Sequence, residues 1–164
     1  MLLVFPSGIS SDVNHLLARS GKDGTPSVRG PLVIMPVADG ERPLAQLGEN
    51  DKLHIVASGS DDDVAGHSPE ELVQLLESLG LAPELPLRQI HLIVDHTGAT
   101  YADRLARALA AKQFRVREIK APRGAVKWDE AGKVQVLVEG AWKPSSKELN
   151  TYAGPDVQEK HRRS

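Results

Sequence analysis

The sequence contains no cysteine, which excludes disulfides, a thiolate nucleophile, and zinc or iron–sulfur centres held by sulfur. Aromatic residues are scarce, with two each of Trp, Tyr and Phe in 164 residues. They do not interleave with basic residues in the way a base-stacking surface requires, so nucleic acid is not the expected partner. No apolar run approaches the roughly 20 residues of a membrane-spanning helix, and no membrane span is expected. The opening Met1-Leu2-Leu3-Val4-Phe5 has no basic flank and is interrupted by Pro6, unlike a signal peptide. What remains is the composition of one soluble domain, 40% hydrophobic and 26% charged, long enough to bury about two-thirds of its unfolded surface.

The net charge of −2 conceals an asymmetry. Residues 1–103 carry 6 Lys and Arg against 15 Asp and Glu, whereas residues 104–164 carry 14 against 7. The basic end is where an anionic ligand or partner would bind, and the acidic end offers a surface for a protein partner.

Apolar runs of strand length recur at Leu2–Phe5, Leu32–Val37, Leu53–Ala57, Ile90–Val94 and Val116–Ile119. Leu32–Met35 and His91–Val94 are nearly continuous, as in strands covered on both faces. The clearest helix follows Ser68-Pro69-Glu70-Glu71, a capping box with proline at the first helical position. Leu72, Leu75, Leu76 and Leu79 form its apolar stripe and Gly80 ends it. A second helix spans Thr100–Lys112 with Tyr101, Leu105, Ala108 and Leu109 on one face, and a weaker one spans Asp12–Arg19. This alternation predicts an α/β fold with a mostly parallel central sheet and helices on both faces. Ala125–Trp128 and Val134–Val138 flank the turn residues Asp129-Glu130-Ala131-Gly132 and read as a C-terminal β-hairpin. The expected organisation is one domain over residues 1–144 and a polar, poorly ordered tail over residues 145–164.

Ligands of an open parallel sheet gather beyond the carboxyl ends of its strands. Two such ends carry reactive residue types. Leu53–Ala57 runs into Ser58-Gly59-Ser60 and Asp61-Asp62-Asp63, and Ile90–Val94 runs into Asp95-His96-Thr97-Gly98. Asp61, Asp62, Asp63, His67, Asp95 and His96 are the candidates for a metal. Three consecutive aspartates cannot point one way and lack the spacing of a calcium loop, so a solvated acidic loop is the expectation and no metal is assigned. His15, His54 and His91 read as surface or strand-face positions, and His161 belongs to the tail. The remaining signal is basic: Arg104 and Arg107 on the second helix, Arg115, Arg117 and Lys120 around the last core strand, and Arg123, Lys127, Lys133 and Lys143 near the hairpin. Arg115 and Arg117, two residues apart, share a strand face.

Leu53-His54-Ile55-Val56-Ala57-Ser58-Gly59, Gly66-His67-Ser68-Pro69-Glu70-Glu71-Leu72 and Ile90-His91-Leu92-Ile93-Val94-Asp95-His96-Thr97 occur in that order. Trp128-Asp129-Glu130-Ala131-Gly132-Lys133 and Gly140-Ala141-Trp142 follow. Together these segments resemble the cysteine protease domain of MARTX toxins, and the resemblance covers most of residues 1–143. It implies a caspase-like three-layer sandwich with a C-terminal β-hairpin flap, and a place in a bacterial effector or toxin system. The implied location is the bacterial cytoplasm or a host cell reached through a specialised secretion system. It also implies inositol hexakisphosphate as a ligand, bound by a basic cleft beside the flap, where Arg104, Arg107, Arg115, Arg117, Lys120, Arg123, Lys127 and Lys143 would fall. No other cofactor is called for. The family's catalytic His falls on Ser58 and its catalytic Cys on His96, so cysteine protease chemistry is impossible here. The expected function is therefore that of a non-proteolytic binding module. The first alternative is a hydrolase with Ser58 as nucleophile and His96 as base, oriented by Asp95, Asp61 or Asp63. The second is a structural or toxin-neutralising partner protein.

Overall fold

A computed structural model describes residues 1–6, 32–98, 100–122, 124–128, 134–144 and 149–153. The strands of the main sheet are β1 (Leu2–Val4), β2 (Leu32–Ile34), β3 (Lys52–Val56), β4 (Leu87–Ile93), β5 (Val116–Pro122) and β9 (Leu149–Ala153). Their order is β2-β1-β3-β4-β5-β9. The first five run parallel, and β9 closes the edge antiparallel to β5. A separate antiparallel sheet joins β6 (Val126–Trp128), β7 (Val134–Val138) and β8 (Ala141–Pro144). Two α-helices, α1 (Pro69–Ser78) and α2 (Tyr101–Ala111), connect β3 to β4 and β4 to β5. The α/β character and the parallel sheet are as the sequence predicts.

The period-two alternation of the strands divides the residues between the two faces. Leu3, Ile55 and Leu92 lie abreast on β1, β3 and β4. They bury against Leu72, Val73 and Leu76 of α1 and Leu105, Ala106 and Leu109 of α2. On the opposite face the row Val4, Val56, Ile93 and the neighbouring Leu2 pack under Val126 of β6 and Val134 of β7. Both described helices thus stand on one face, and the small sheet covers the other. The physical reason is directional. The chain advances from β3 to β4 to β5 in one sense, so right-handed crossovers put both helices on the same side. The helix expected at Asp12–Arg19 lies outside the described residues.

α1 forms where the capping box lies. The Ser68 hydroxyl accepts from the Glu71 amide at 3.2 Å, and the Glu71 carboxylate accepts from the Ser68 amide at 3.0 Å. Gly80, in the left-handed region at φ +107°, ends it, with the Leu81 amide returning to the Leu76 carbonyl at 3.0 Å. One stretch differs from expectation. Leu149–Ala153, inside the segment read as a tail, pairs residue for residue with Pro122–Glu118. Residues 145–148 and 154–164 lie outside the described set.

Candidate functional site

The carboxyl ends of β3 and β4 lie side by side, since Val56 pairs with Ile93. The loop after β3 is folded tightly on itself. Gly59 and His67 both bridge to Val64, the Ser60 hydroxyl donates to Asp63 at 3.1 Å, and the Gly66 amide donates to Asp63 at 3.0 Å. A side chain at Gly59 would meet the Asp63 carbonyl and the Val94 side chain, which explains the glycine. Asp61 reaches across to the next loop. Its carboxylate accepts from the Thr100 amide at 2.7 Å, the Thr100 hydroxyl at 2.5 Å and the Tyr101 amide at 2.9 Å. It therefore caps the positive N-terminal end of α2 from another loop. Burial alone would raise the Asp61 pKa, but the bonds from Thr100 and Tyr101 and the nearby Arg104 outweigh it and hold the carboxyl below its usual value. The Tyr101 hydroxyl, donating to the His67 carbonyl at 3.0 Å, ties the same two loops. Among the described residues no group of three or more His, Asp or Glu is arranged to hold a metal ion.

Ser58 is half-buried at the end of β3, and its carbonyl accepts from the Ala65 amide at 2.8 Å. His96 sits in the left-handed region at φ +59° and is exposed, a conformation for which His is among the better-tolerated residues. Asp95 is engaged elsewhere: its Oδ1 accepts from the Val126 amide of β6 at 2.8 Å. The His96 amide donates to the Gly124 carbonyl at 3.0 Å, and the Gly98 amide to the Pro122 carbonyl at 2.6 Å. A Cβ on Gly98 would lie 2.8 Å from the Ala121 and Pro122 carbonyl oxygens, so the approach requires glycine. The turn 95–98 thus ties the small sheet to the main one, beside the packing of Val126 and Val134.

The basic residues fall into separate groups. Arg104 lies 3.9 Å from Glu70, and Arg107 2.9 Å from Asp103, all with exposed side chains. Lys127 lies 4.5 Å from the centre of the Trp142 ring. Lys127 pairs with Gln135 while Lys143 pairs with Val136, so the two lysines belong to opposite faces of the small sheet. Lys120 is half-buried in the row Leu2, His54, His91 of the main sheet. Arg123 and Lys133 lie outside the described residues. Arg115 and Arg117 are exposed at the start of β5.

One grouping was not visible in the sequence. Leu87 pairs with Val116 and Gln89 with Glu118, which sets Arg88 and Arg117 abreast. With Asn50 and Glu118 they line a cleft of about 510 Å³. The Glu118 carboxylate accepts from the Gln89 side chain at 2.5 Å, and among the described residues neither arginine makes an ion pair. The alternation Leu87-Arg88-Gln89-Ile90 was the available signal, but it becomes legible only once β4 is known to begin at Leu87.

A second grouping is buried. His54 and His91 pair across β3 and β4 with their Nδ1 atoms 3.0 Å apart. His91, expected on a surface or strand face, is only 7% exposed, and its Nε2 has no hydrogen-bond partner. Burial is the main reason both imidazoles resist protonation. The His54 pKa falls to about 4, helped by the Met1 ammonium and Lys52. That of His91 falls to about 3, helped by His54, Lys120 and Lys52. No family model matches the chain, and no curated protein matches it either.

Proposed function

We propose that the protein is a non-proteolytic, toxin-protease-like domain that binds a polyanion, with inositol hexakisphosphate as the ligand to test first. The observation that carries the reading is the Arg88 and Arg117 pair. Two guanidinium groups on adjacent strands open onto one cleft, with no carboxylate ion pair among the described residues. Arg presents paired donors in a fixed fork, which suits phosphate oxygens. Arg115 lies two residues before Arg117 and is also exposed. The caspase-like architecture belongs to the same proposal. It is supported by the parallel order β2-β1-β3-β4-β5, the antiparallel sixth strand, and the separate antiparallel sheet of β6, β7 and β8. The absence of cysteine removes the protease chemistry of that scaffold. The hydrolase alternative gains no observation in its favour, because Asp95 bonds to the Val126 amide and Asp61 caps α2.

The test is a thermal melt with and without inositol hexakisphosphate. A ligand that binds only the folded state, at 100 times its dissociation constant, adds about 2.7 kcal/mol, a rise of several degrees in Tm. The expected result is a saturable shift that Arg88→Ala and Arg117→Ala each reduce and the double variant abolishes. No shift for the unaltered protein overturns the polyanion reading. Turnover of an ester or peptide substrate that His96→Ala abolishes would replace it with the hydrolase.

A further inference from the structure

The His54–His91 pair has no part in the proposed ligand site. A neutral imidazole has one N–H and one bare nitrogen. Two Nδ1 atoms at 3.0 Å can share a hydrogen bond only when one is protonated and the other is bare. The edge-to-face rings, with centroids 5.1 Å apart, sit between β3 and β4 on the face that also carries Leu2, Val4, Val56 and Ile93. Among the described residues His91 Nε2 is a buried nitrogen without a partner, so none of them stabilises a positive charge on that ring.

The neighbours make this worse. Lys52 on β3, Lys120 on β5 and the Met1 ammonium just before β1 all bear on the pair with positive charge. Glu118 lies one row away on β5, and its carboxylate is held by Gln89. The small sheet contributes Val126 and Val134 to this face, and neither titrates. Among the described residues, no carboxylate contacts either imidazole. The same ring of cations argues against a bound metal ion, and no third ligand is at hand among the described residues.

We propose that the His54–His91 contact is an acid-sensitive latch: with both rings neutral it holds β3 and β4 together on this face, and proton uptake loosens the face. A second proton would set two N–H groups head to head across 3.0 Å, so the doubly charged pair cannot persist in the folded arrangement. The device requires that the unfolded chain binds protons the folded one refuses. Unfolding is then favoured as pH falls, approaching about tenfold per pH unit for each imidazole below the ordinary value near 6.5.

The experiment is chemical denaturation at a series of pH values between about 7 and about 5, on the full chain and on the double variant His54→Leu/His91→Leu. His15, His67, His96 and His161 remain in both. The unaltered protein should lose stability steeply over that interval, and the double variant should lose most of that slope whatever its absolute stability. Equal slopes overturn the proposal. Histidine ring resonances of the unaltered protein, followed by NMR, give an independent reading that needs no variant. Two imidazoles that stay neutral until the fold is lost support the latch. Six that all titrate near 6.5 in the folded protein overturn it.

Discussion

Asp61, Asp62 and Asp63 stand side by side in the sequence and have separate structural roles. Asp61 caps α2 from a distance of 39 residues, and Asp63 closes its own loop through Ser60 and Gly66. Asp62 is exposed, and its amide donates to the Ser60 hydroxyl. Asp61→Ala should therefore cost about 1–2 kcal/mol, as lost helix caps do, while Asp62→Ala should stay within about 0.5 kcal/mol. Urea denaturation of the two variants checks this, and equal effects would contradict it. The pKa values of Asp61 and Glu71 are both lowered, the first against burial by Thr100 and Tyr101 and the second by the Ser68 amide and hydroxyl. Their contribution to stability is present above the unfolded carboxyl value and disappears as pH falls through the lower folded values. The histidine latch begins to act higher, so the two effects separate along the pH axis. At this scale the sequence places the three aspartates in one loop after β3. It did not show which one capped a helix, because the cap acts between elements far apart in the chain.

At the scale of elements, α1 and α2 were legible because their signals are local. The capping box, the leucine stripe and Gly80 need no knowledge of the rest of the chain. Strand ends were less legible. β4 begins at Leu87 rather than Ile90, because Arg88 and Gln89 interrupt the apolar run although the alternation continues through them. β9 was missed entirely, since Leu149-Asn150-Thr151-Tyr152-Ala153 is a mixed edge segment whose role is set by the free edge of β5. Residue type alone marks Asp95 and His96 as catalytic candidates. In the structure Asp95 and His96 bond to the backbone of Val126 and Gly124. Asp95→Ala is expected to leave the part-buried Val126 amide unpaired, at a cost of about 1–3 kcal/mol. Faster hydrogen exchange at Val126 and Leu137, with α1 and α2 unaffected, would show that the small sheet has loosened. Unchanged exchange there would contradict the anchoring role.

At the scale of the molecule, the described basic residues after residue 103 do not form one patch. The fold distributes them among an ion-paired helix, two faces of a small sheet, a row beside buried histidines, and the amino end of β5. At the last of these the structure sets Arg117 abreast of Arg88, which comes from the half of the chain that is acidic overall. Residue type and spacing suggest an anionic ligand, while strand register brings Arg88 and Arg117 together. The most direct test of this account is an NMR titration of the amide-labelled protein with inositol hexakisphosphate at near-physiological salt. The account predicts saturable shifts centred on Asn50, Arg88 and Arg115–Glu118. Shifts centred instead on Lys127, Trp142 and Lys143, or none at saturating ligand, would contradict it.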